Sequence, residues 1–501
     1  MAKKIAKALD PFDTSLLHAD LKGRSVRGGA VTLGAQGVNF VINLGSTAVL
    51  ARLLTPGDFG LVAMVTALTG FVTMFKDAGL SMATVQRDTV NHEQISTLFW
   101  INVGLSFGLM VLMAALAPAI AWFYGEPRLV PITLAVASVF IFSGLTVQHQ
   151  ALLRRQMKFG ALAWIQIFSG GLAMSAAVVS ALSGAGYWAL IVQMAIQQMS
   201  FMVFCWIFCR WVPGRPRRGV GTRAMLKFGG QLTGFNFVNY FARNADNVLI
   251  GNVWGGGQLG LYTEAYGLLT LPLRQINGPI SAVAIPALSR LQNDPAQFRD
   301  YFIKTLNVIS FITFPLIAWI IICRLEIILL ILGQQWLEAV PIFGALSVSA
   351  FFQPIGNITG VLYVALGRGK RMFQWGLIGC SWLVISFFIG LPYGAIGVAW
   401  AYSIAMLTMA VPCILYAIAG TPIKIGDFII ALRVNAFATV ISGALGFFLH
   451  SYLLESFSNY WNAFYVGCII CISYIIVSLI LDPKNNIIKS FRYMRLSRKP
   501  K

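Results

Sequence analysis

The chain has 501 residues, of which 57% are hydrophobic and only 11% are charged, and its mean hydropathy is +0.75. A soluble domain of this length uses about 25% charged residues to cover its surface. The composition therefore excludes an ordinary soluble protein and predicts that lipid surrounds most side chains. Because the apolar runs are continuous rather than alternating, they predict spanning helices and exclude a transmembrane β-barrel.

The hydropathy pattern predicts an all-α integral membrane protein with about fourteen transmembrane helices. In chain order the expected spans are 28–50, 57–80, 95–120, 129–149, 160–182, 186–209, 228–252, 258–280, 303–323, 340–366, 373–390, 393–418, 428–450 and 462–481. The first 24 residues show no apolar signal segment, so they are expected to form a cytoplasmic tail.

The basic residues are distributed unevenly between the two sides of this topology. With the N-terminus inside, 31 of the 37 Lys and Arg residues fall on the cytoplasmic side, and only Arg52, Arg128 and Arg324 lie outside. Short loops rich in Lys and Arg stay in the cytoplasm, so both termini are predicted to be cytoplasmic. The net charge of +20 is therefore an orientation signal that also favours contact with anionic lipid head groups, and it argues against nucleic-acid binding.

An internal repeat relates the two halves of the chain. A shift of 200 positions aligns Gly60 with Gly260 and Asn39 with Asn239 without gaps. Six intervening helices return the chain to the same side, which predicts a parallel repeat with a pseudo-twofold axis along the membrane normal. The expected organisation is a cytoplasmic N-terminal tail at 1–24, an N-lobe of helices 1–6 at 25–212, a C-lobe of helices 7–12 at 213–420, helices 13 and 14 at 421–482, and a basic cytoplasmic tail at 483–501.

Two polar stripes occupy matching positions in this repeat. The stripe on span 7 consists of Asn236, Asn239, Arg243, Asp246 and Asn247, and that on span 1 consists of Gln36, Asn39, Asn43 and Ser46. Each stripe follows one face of its helix at i, i+3 and i+7 spacing. Since a polar stripe is costly in hydrocarbon, the two stripes are predicted to line a substrate cleft between the lobes.

Six ionisable side chains lie within or just inside the spans: Lys76, Asp77, Arg243, Asp246, Glu264 and Arg274. Two interpretations stay open for them. They form structural ion pairs, or they line a hydrated cavity in which Arg243 and Arg274 hold an anionic head group. In the second case Asp246 and Glu264 balance the charge or carry a coupling proton.

Catalysis, a cofactor and a metal site are not expected. The sequence contains no recognisable catalytic or nucleotide-binding motif, and its loops are shorter than about twenty residues. The seven cysteines are expected to be small buried hydrophobic residues. The four histidines show no ligand spacing; they are His18, His92, His149 and His450.

Three stretches carry a resemblance to a known family. They are LARLLTPGDFGLVAMVTALTGFVTMFKDAGLSMATVQR (50–87), FARNADNVLIGNVWGGGQLGLYTEAYGLLTLP (241–272) and FFQPIGNITGVLYVALGR (351–368). Together they resemble Wzx-type polysaccharide flippases, particularly the WzxC-like branch, over roughly residues 25–480. The resemblance implies the multidrug/oligosaccharidyl-lipid/polysaccharide exporter superfamily, with a V-shaped pair of six-helix bundles that alternate in access.

The resemblance also implies a substrate and a location. The substrate is an oligosaccharide repeat unit on undecaprenyl pyrophosphate, moved from the inner to the outer leaflet of the bacterial inner membrane for exopolysaccharide, capsule or O-antigen synthesis. Polysaccharide polymerase machinery is an expected partner, and H⁺ and Na⁺ both remain open as the coupling ion. Two alternatives are an ion-coupled drug or cation exporter of the same superfamily and, with less support, a membrane polysaccharide polymerase.

Overall fold

The computed structural model describes residues 21–77, 90–217, 222–453 and 459–482, together with the isolated positions 12, 81, 84 and 85. Within the helices, the side chains of residues 21–28, 30, 71–77, 222–239, 241–243, 453 and 459–460 lie outside the described part. The tails expected at 1–24 and 483–501 fall largely outside it, so both tails stay predictions.

Every long regular element in the described ranges is a helix. In chain order the helices are α1 (Leu21–Leu53), α2 (Pro56–Asp77), α3 (His92–Tyr124), α4 (Leu129–Gly144), α5 (Val147–Arg155), α6 (Phe159–Leu182), α7 (Trp188–Cys209), α8 (Thr222–Arg290), α9 (Pro295–Ile322), α10 (Arg324–Ile331), α11 (Ala339–Ala350), α12 (Gln353–Ala365), α13 (Gly369–Gly390), α14 (Gly394–Ile418), α15 (Ile425–Leu453) and α16 (Asn459–Leu481). A helix satisfies its own backbone hydrogen bonds, which is why apolar sequences of this kind adopt it in lipid.

The chain divides into two compact units, Met1–Gly260 and Leu261–Lys501. In the first unit α1 packs on α6, α6 on α7 and α3 on α4, while α4 also contacts α2 and α7. In the second unit α9 packs on α15, α15 on α16 and α13 on α14, and α14 also contacts α11 and α12. The lobe boundaries expected at 212 and 420 stay predictions.

A single glycine breaks the long helix α8. Gly255 has φ +75° and ψ −176°, a backbone conformation that residues with a Cβ rarely adopt. This break falls between the spans expected at 228–252 and 258–280. One glycine therefore takes the place of the loop expected between the seventh and eighth spans.

Within the first unit, α2 and α8 approach so closely that only glycine fits between their backbones. A Cβ added to Gly60 would lie 1.7 Å from the carbonyl oxygen of Gly256, and one added to Gly260 would lie 1.9 Å from the carbonyl oxygen of Pro56. A shift of 200 positions exchanges Gly60 with Gly260 and Pro56 with Gly256, so this contact maps onto itself. The glycines of the repeat are thus packing residues that allow two helices to touch.

Polar contacts join α9 to α15 in the second unit. Asn435 is fully buried, and its Nδ2 donates to Asn307 Oδ1 at 3.0 Å and to Ser310 Oγ at 2.7 Å. At the start of the same two helices, Arg299 donates to both carboxylate oxygens of Asp427 at 2.8 and 2.6 Å. The bidentate pair and the amide contacts fix the register of α15 against α9.

The helices are long and apolar enough for a multi-pass membrane protein. In the searched part of the chain, nine helical segments could cross a membrane, or up to ten if the bent pair α11 and α12 counts as one span. Many large apolar side chains on them are exposed, such as Val179, Phe448 and Ile480. The all-α membrane fold is therefore confirmed, while the number of fourteen spans stays a prediction.

The tenth expected span, 340–366, is bent rather than continuous. It consists of α11 and α12, whose axes differ by 42° across a break at Phe351 and Phe352. Pro354 stands in the first turn of α12. Because proline has no amide hydrogen and its ring clashes with the carbonyl four residues earlier, here that of Ala350, it interrupts the helix.

Candidate functional site

The polar face of α1 is directed partly at its neighbours within the first unit. Ser46 is buried, and Gln193 Nε2 of α7 donates to its hydroxyl oxygen at 2.7 Å. Asn39 is half-buried, while Gln36 and Asn43 are exposed. The stripe predicted from i, i+3 and i+7 spacing therefore runs from a buried contact with α7 to an open surface.

Gly170 of α6 lies between the polar groups of α1 and α7. A Cβ at this position would lie 3.8 Å from Asn39 Oδ1 and 3.9 Å from Gln197 Oε1. The absence of a side chain leaves room for both amide groups. Because Gln193 and Gln197 are four residues apart, they lie on the same face of α7. Through Gln193 this face contacts the polar face of α1.

Two cavities of about 470 and 340 Å³ lie in the same unit. Both are lined by Ser81, Gln150, Arg154, Gln166 and Phe201. The larger cavity reaches Thr32 and Ala35 of α1. The smaller one adds Ser143, Thr146, Val147, Gln197 and Gln198. The shared lining residues make these cavities one polar region bordered by α1, α5, α6 and α7.

The break between α4 and α5 positions the polar wall of this region. Helix α4 packs closely on α3 at Gly144, its last residue, where a Cβ would lie 2.5 Å from Ser106 Oγ. Helix α5 then starts at Val147, and its residues Gln150 and Arg154 are four apart, so they project from one face. This short helix presents both side chains to the two cavities.

In the part of the lining that the structure describes, one cation is combined with neutral hydrogen-bonding groups. Arg154 is exposed, and among the described residues no hydrogen bond or ion pair occupies its guanidinium. Among the described residues that line the cavities there is no aspartate or glutamate. A guanidinium binds phosphate oxygens through paired hydrogen bonds, and amides donate to and accept from hydroxyl groups. The site can thus hold an anionic group next to a polyhydroxylated one.

Only some of the predicted site residues can be located. Asp246 is buried and accepts a 2.8 Å hydrogen bond from the backbone amide of Asn247, which is half-buried. In the second unit Glu264 is half-buried and Arg274 is exposed. The side chains of the other candidates lie outside the described residues: Lys76, Asp77, Asn236, Asn239 and Arg243. The choice between ion pairs and a hydrated cavity stays open for these groups.

The sequence analysis missed the polar residues of α5, α6 and α7. Gln193, Gln197 and Gln198 lie inside a span that hydropathy treats as uniformly apolar, and Arg154 was counted only as a loop charge. The available signal was the i, i+4 spacing of Gln150 with Arg154 and of Gln193 with Gln197. Ser46 and Gln193 are 147 positions apart, so no local pattern in the sequence reveals their contact.

Curated relatives align with about three quarters of the chain. The teichuronic acid biosynthesis protein TuaB of Bacillus subtilis (strain 168) is 29% identical over 367 residues, which cover 73% of this chain and 76% of TuaB. The lipopolysaccharide biosynthesis protein WzxC of Escherichia coli (strain K12) is 26% identical over 378 residues, which cover 73% of this chain and 76% of WzxC.

Solved structures share the fold. The lipid II flippase MurJ in an inward closed conformation matches with a TM-score of 0.72 at 16% identity, over 92% of this chain and 99% of MurJ. An inward-facing multidrug resistance MATE transporter matches with a TM-score of 0.62 at 14% identity, over 77% of this chain and 97% of that one. These likenesses show that the chain shares the helical fold of both proteins.

The family described as polysaccharide biosynthesis protein matches residues 49–341, more than half of the chain. This match includes α2 to α7 and most of the lining of the two cavities, and it agrees with the Wzx-type resemblance of the stretches quoted above. The chain belongs to the polysaccharide biosynthesis protein family.

Proposed function

We propose that the protein moves lipid-linked oligosaccharides from the inner to the outer leaflet of the bacterial inner membrane. The substrate is a sugar repeat unit on undecaprenyl pyrophosphate, and the product serves synthesis of a surface polysaccharide. The names of the relatives support this proposal, since TuaB and WzxC are named for teichuronic acid and lipopolysaccharide biosynthesis. MurJ, which has the same fold, is named a lipid II flippase.

The proposal rests on one observation: Arg154 and several glutamine amides line the two cavities of the first unit. A flippase must replace the water around a pyrophosphate and a glycan while the prenyl chain stays in lipid. Arg154 supplies the charge for a phosphate, and Gln150, Gln166 and Gln197 supply donors and acceptors for sugar hydroxyls. No covalent chemistry is needed for this transfer.

The residues predicted from the two polar stripes complete this proposal. Arg243 and Arg274 contact pyrophosphate or sugar, and Asn39, Asn43, Asn239 and Asn247 offer neutral hydrogen bonds. Asp246 and Glu264 balance charge or carry a coupling proton, with H⁺ and Na⁺ both open as the driving ion. Alternating access of the two lobes then exposes the polar path to one leaflet at a time.

The test is to measure the lipid-linked oligosaccharide pool in cells lacking the protein, separately in each membrane leaflet. Accumulation in the inner leaflet together with loss of polymer supports the flippase. Unpolymerised repeat units in the outer leaflet would instead indicate a polymerase. Unchanged pools with altered drug sensitivity would indicate an exporter and contradict the proposal.

A further inference from the structure

Three potential metal ligands from distant parts of the sequence meet in the second unit. Cys323 lies between the end of α9 and the start of α10, and Glu326 lies in the first turn of α10. His450 lies in the last turn of α15. None of the three lines the cavities of the first unit, so this cluster is separate from the proposed substrate region.

The ligand atoms of the cluster are close together and shielded. His450 Nε2 lies 2.7 Å from Glu326 Oε1, and the Cys323 sulfur and both partner atoms all lie within 4.8 Å of one another. Cys323 and Glu326 are completely buried, and the His450 side chain is 13% exposed. This is a compact donor set with restricted access to water.

Glu326 carries an independent indication of a missing partner. Its second carboxylate oxygen, Oε2, is buried and has no hydrogen-bond partner among the described residues. An unpaired carboxylate oxygen away from water is costly, because neither solvent nor protein stabilises its charge. The single contact with His450 leaves this oxygen unsatisfied, whereas a bound cation would satisfy it.

We propose that Cys323, Glu326 and His450 bind a divalent transition-metal ion of the zinc class. A thiolate, a carboxylate and a neutral imidazole together carry two negative charges, which a divalent cation neutralises in a low-dielectric setting. Sulfur, nitrogen and oxygen donors are the set that Zn²⁺ uses in proteins, at about 2.0–2.3 Å. The ion replaces the 2.7 Å contact between His450 and Glu326, moves these two ligand atoms slightly apart, and leaves a fourth position for water.

The bound metal links α10 and the end of α9 to α15. The histidine lies 124 positions from the glutamate, which is why a search for local ligand spacing in the sequence does not find the site. Because the ion binds the folded arrangement and not the dispersed ligands, it stabilises this part of the second unit.

Cobalt titration of the full-length protein, purified in detergent without a histidine tag and stripped with a chelator, tests the site. Co²⁺ replaces Zn²⁺ and gives a thiolate-to-metal absorption band when a cysteine sulfur binds it. The wild type and Cys468→Ser, which removes an exposed cysteine outside the cluster, should show this band at one equivalent. Cys323→Ser should lose the band, and His450→Gln should bind at least about tenfold more weakly.

Thermal unfolding of the same samples gives a second measurement. Zn²⁺ should raise the Tm of the wild type and of Cys468→Ser, with a smaller increase in His450→Gln. If the wild type shows no thiolate band, or if the band persists in Cys323→Ser, the proposal is overturned and the cluster is a His–Glu pair beside a buried thiol. If Cys323→Ser does not fold, two results decide the question. They are the number of Co²⁺ equivalents that the wild type binds and the loss of Co²⁺ affinity in His450→Gln.

Discussion

Arg154 and Arg155 are neighbours in sequence with opposite environments. Arg155 is buried and donates to the backbone oxygen of Thr84 at 3.1 Å, whereas Arg154 is exposed and lines both cavities. In the second unit, Arg371 donates to the carbonyl oxygen of Ala419 at the end of α14. Arg155 and Arg371 are thus engaged in structural contacts, while Arg154 is placed to receive a ligand.

We expect Arg154→Gln to lower the rate of lipid-linked oligosaccharide transfer by at least about tenfold. A charge-assisted hydrogen bond contributes about 1.5–3 kcal/mol, and 1.4 kcal/mol corresponds to a factor of ten. Arg154→Lys should retain part of the rate, because it keeps the charge and loses the fork of donors. Polymer yield in cells measures the effect, with Arg215→Gln, an exposed arginine outside both cavities, as the matched control. Equal yields from Arg154→Gln and the control would contradict this role.

Asn435 is the residue whose loss should most weaken the contact of α9 with α15. Asn435→Ala leaves the half-buried carbonyl group of Asn307 and the buried hydroxyl group of Ser310 without their donor. We expect a loss of about 1–3 kcal/mol, visible as a lower Tm in detergent. Ser451→Ala, at an exposed position of the same helix, should leave the Tm nearly unchanged. Identical Tm values for both variants would show that the buried amide contributes no stability.

At the residue scale, helical spacing predicted the polar face of α1 but not its partners. Gln36, Asn39 and Asn43 follow one stripe that a single sequence reveals. Gln193 and Gln166 come from other helices, and their positions next to α1 depend on tertiary packing that hydropathy does not encode. Cys323 and His450 were interpreted as isolated residues for the same reason.

The close contact of α2 with α8 depends on glycine. In Gly60→Ala the new methyl group would overlap the backbone of Gly256, so the two helices would have to separate. We expect a loss of about 3 kcal/mol or more, with reduced folded yield on size-exclusion chromatography. Gly57→Ala is the matched control, because a Cβ there meets only Thr55 Oγ1 at 3.7 Å. Normal yield of Gly60→Ala would contradict the packing.

At the element scale, apolar length predicted where helices lie, but not where they bend. The spans at 160–182 and 186–209 agree with α6 and α7 because polar and glycine-rich turns separate them. The span at 129–149 lies within the candidate membrane segment Leu129–Arg155, in which α4 ends at Gly144 and α5 follows. Hydropathy averages over such breaks, and the one in the bent span arises from Pro354.

At the scale of the whole molecule, exposed aromatic residues lie near the ends of predicted spans, while the orientation predicted from the basic loops stays a prediction. Trp122, Tyr393, Tyr452 and Trp461 are all more than half exposed and lie at helix ends predicted to face outward. Tryptophan and tyrosine favour the membrane–water interface. Because the basic loops predict a cytoplasmic C-terminus, reporter fusions there should be active with green fluorescent protein and inactive with alkaline phosphatase. The opposite pattern would contradict the predicted topology.

Transfer of lipid-linked oligosaccharides between leaflets can be measured directly with the purified protein in lipid vesicles loaded with such a substrate. A membrane-impermeant glycan-modifying enzyme added outside reports the arrival of substrate in the outer leaflet. We expect transfer with the wild type and with Arg215→Gln, and at least about tenfold slower transfer with Arg154→Gln. Transfer no faster than in protein-free vesicles, under a proton or a sodium gradient, would contradict the proposed function.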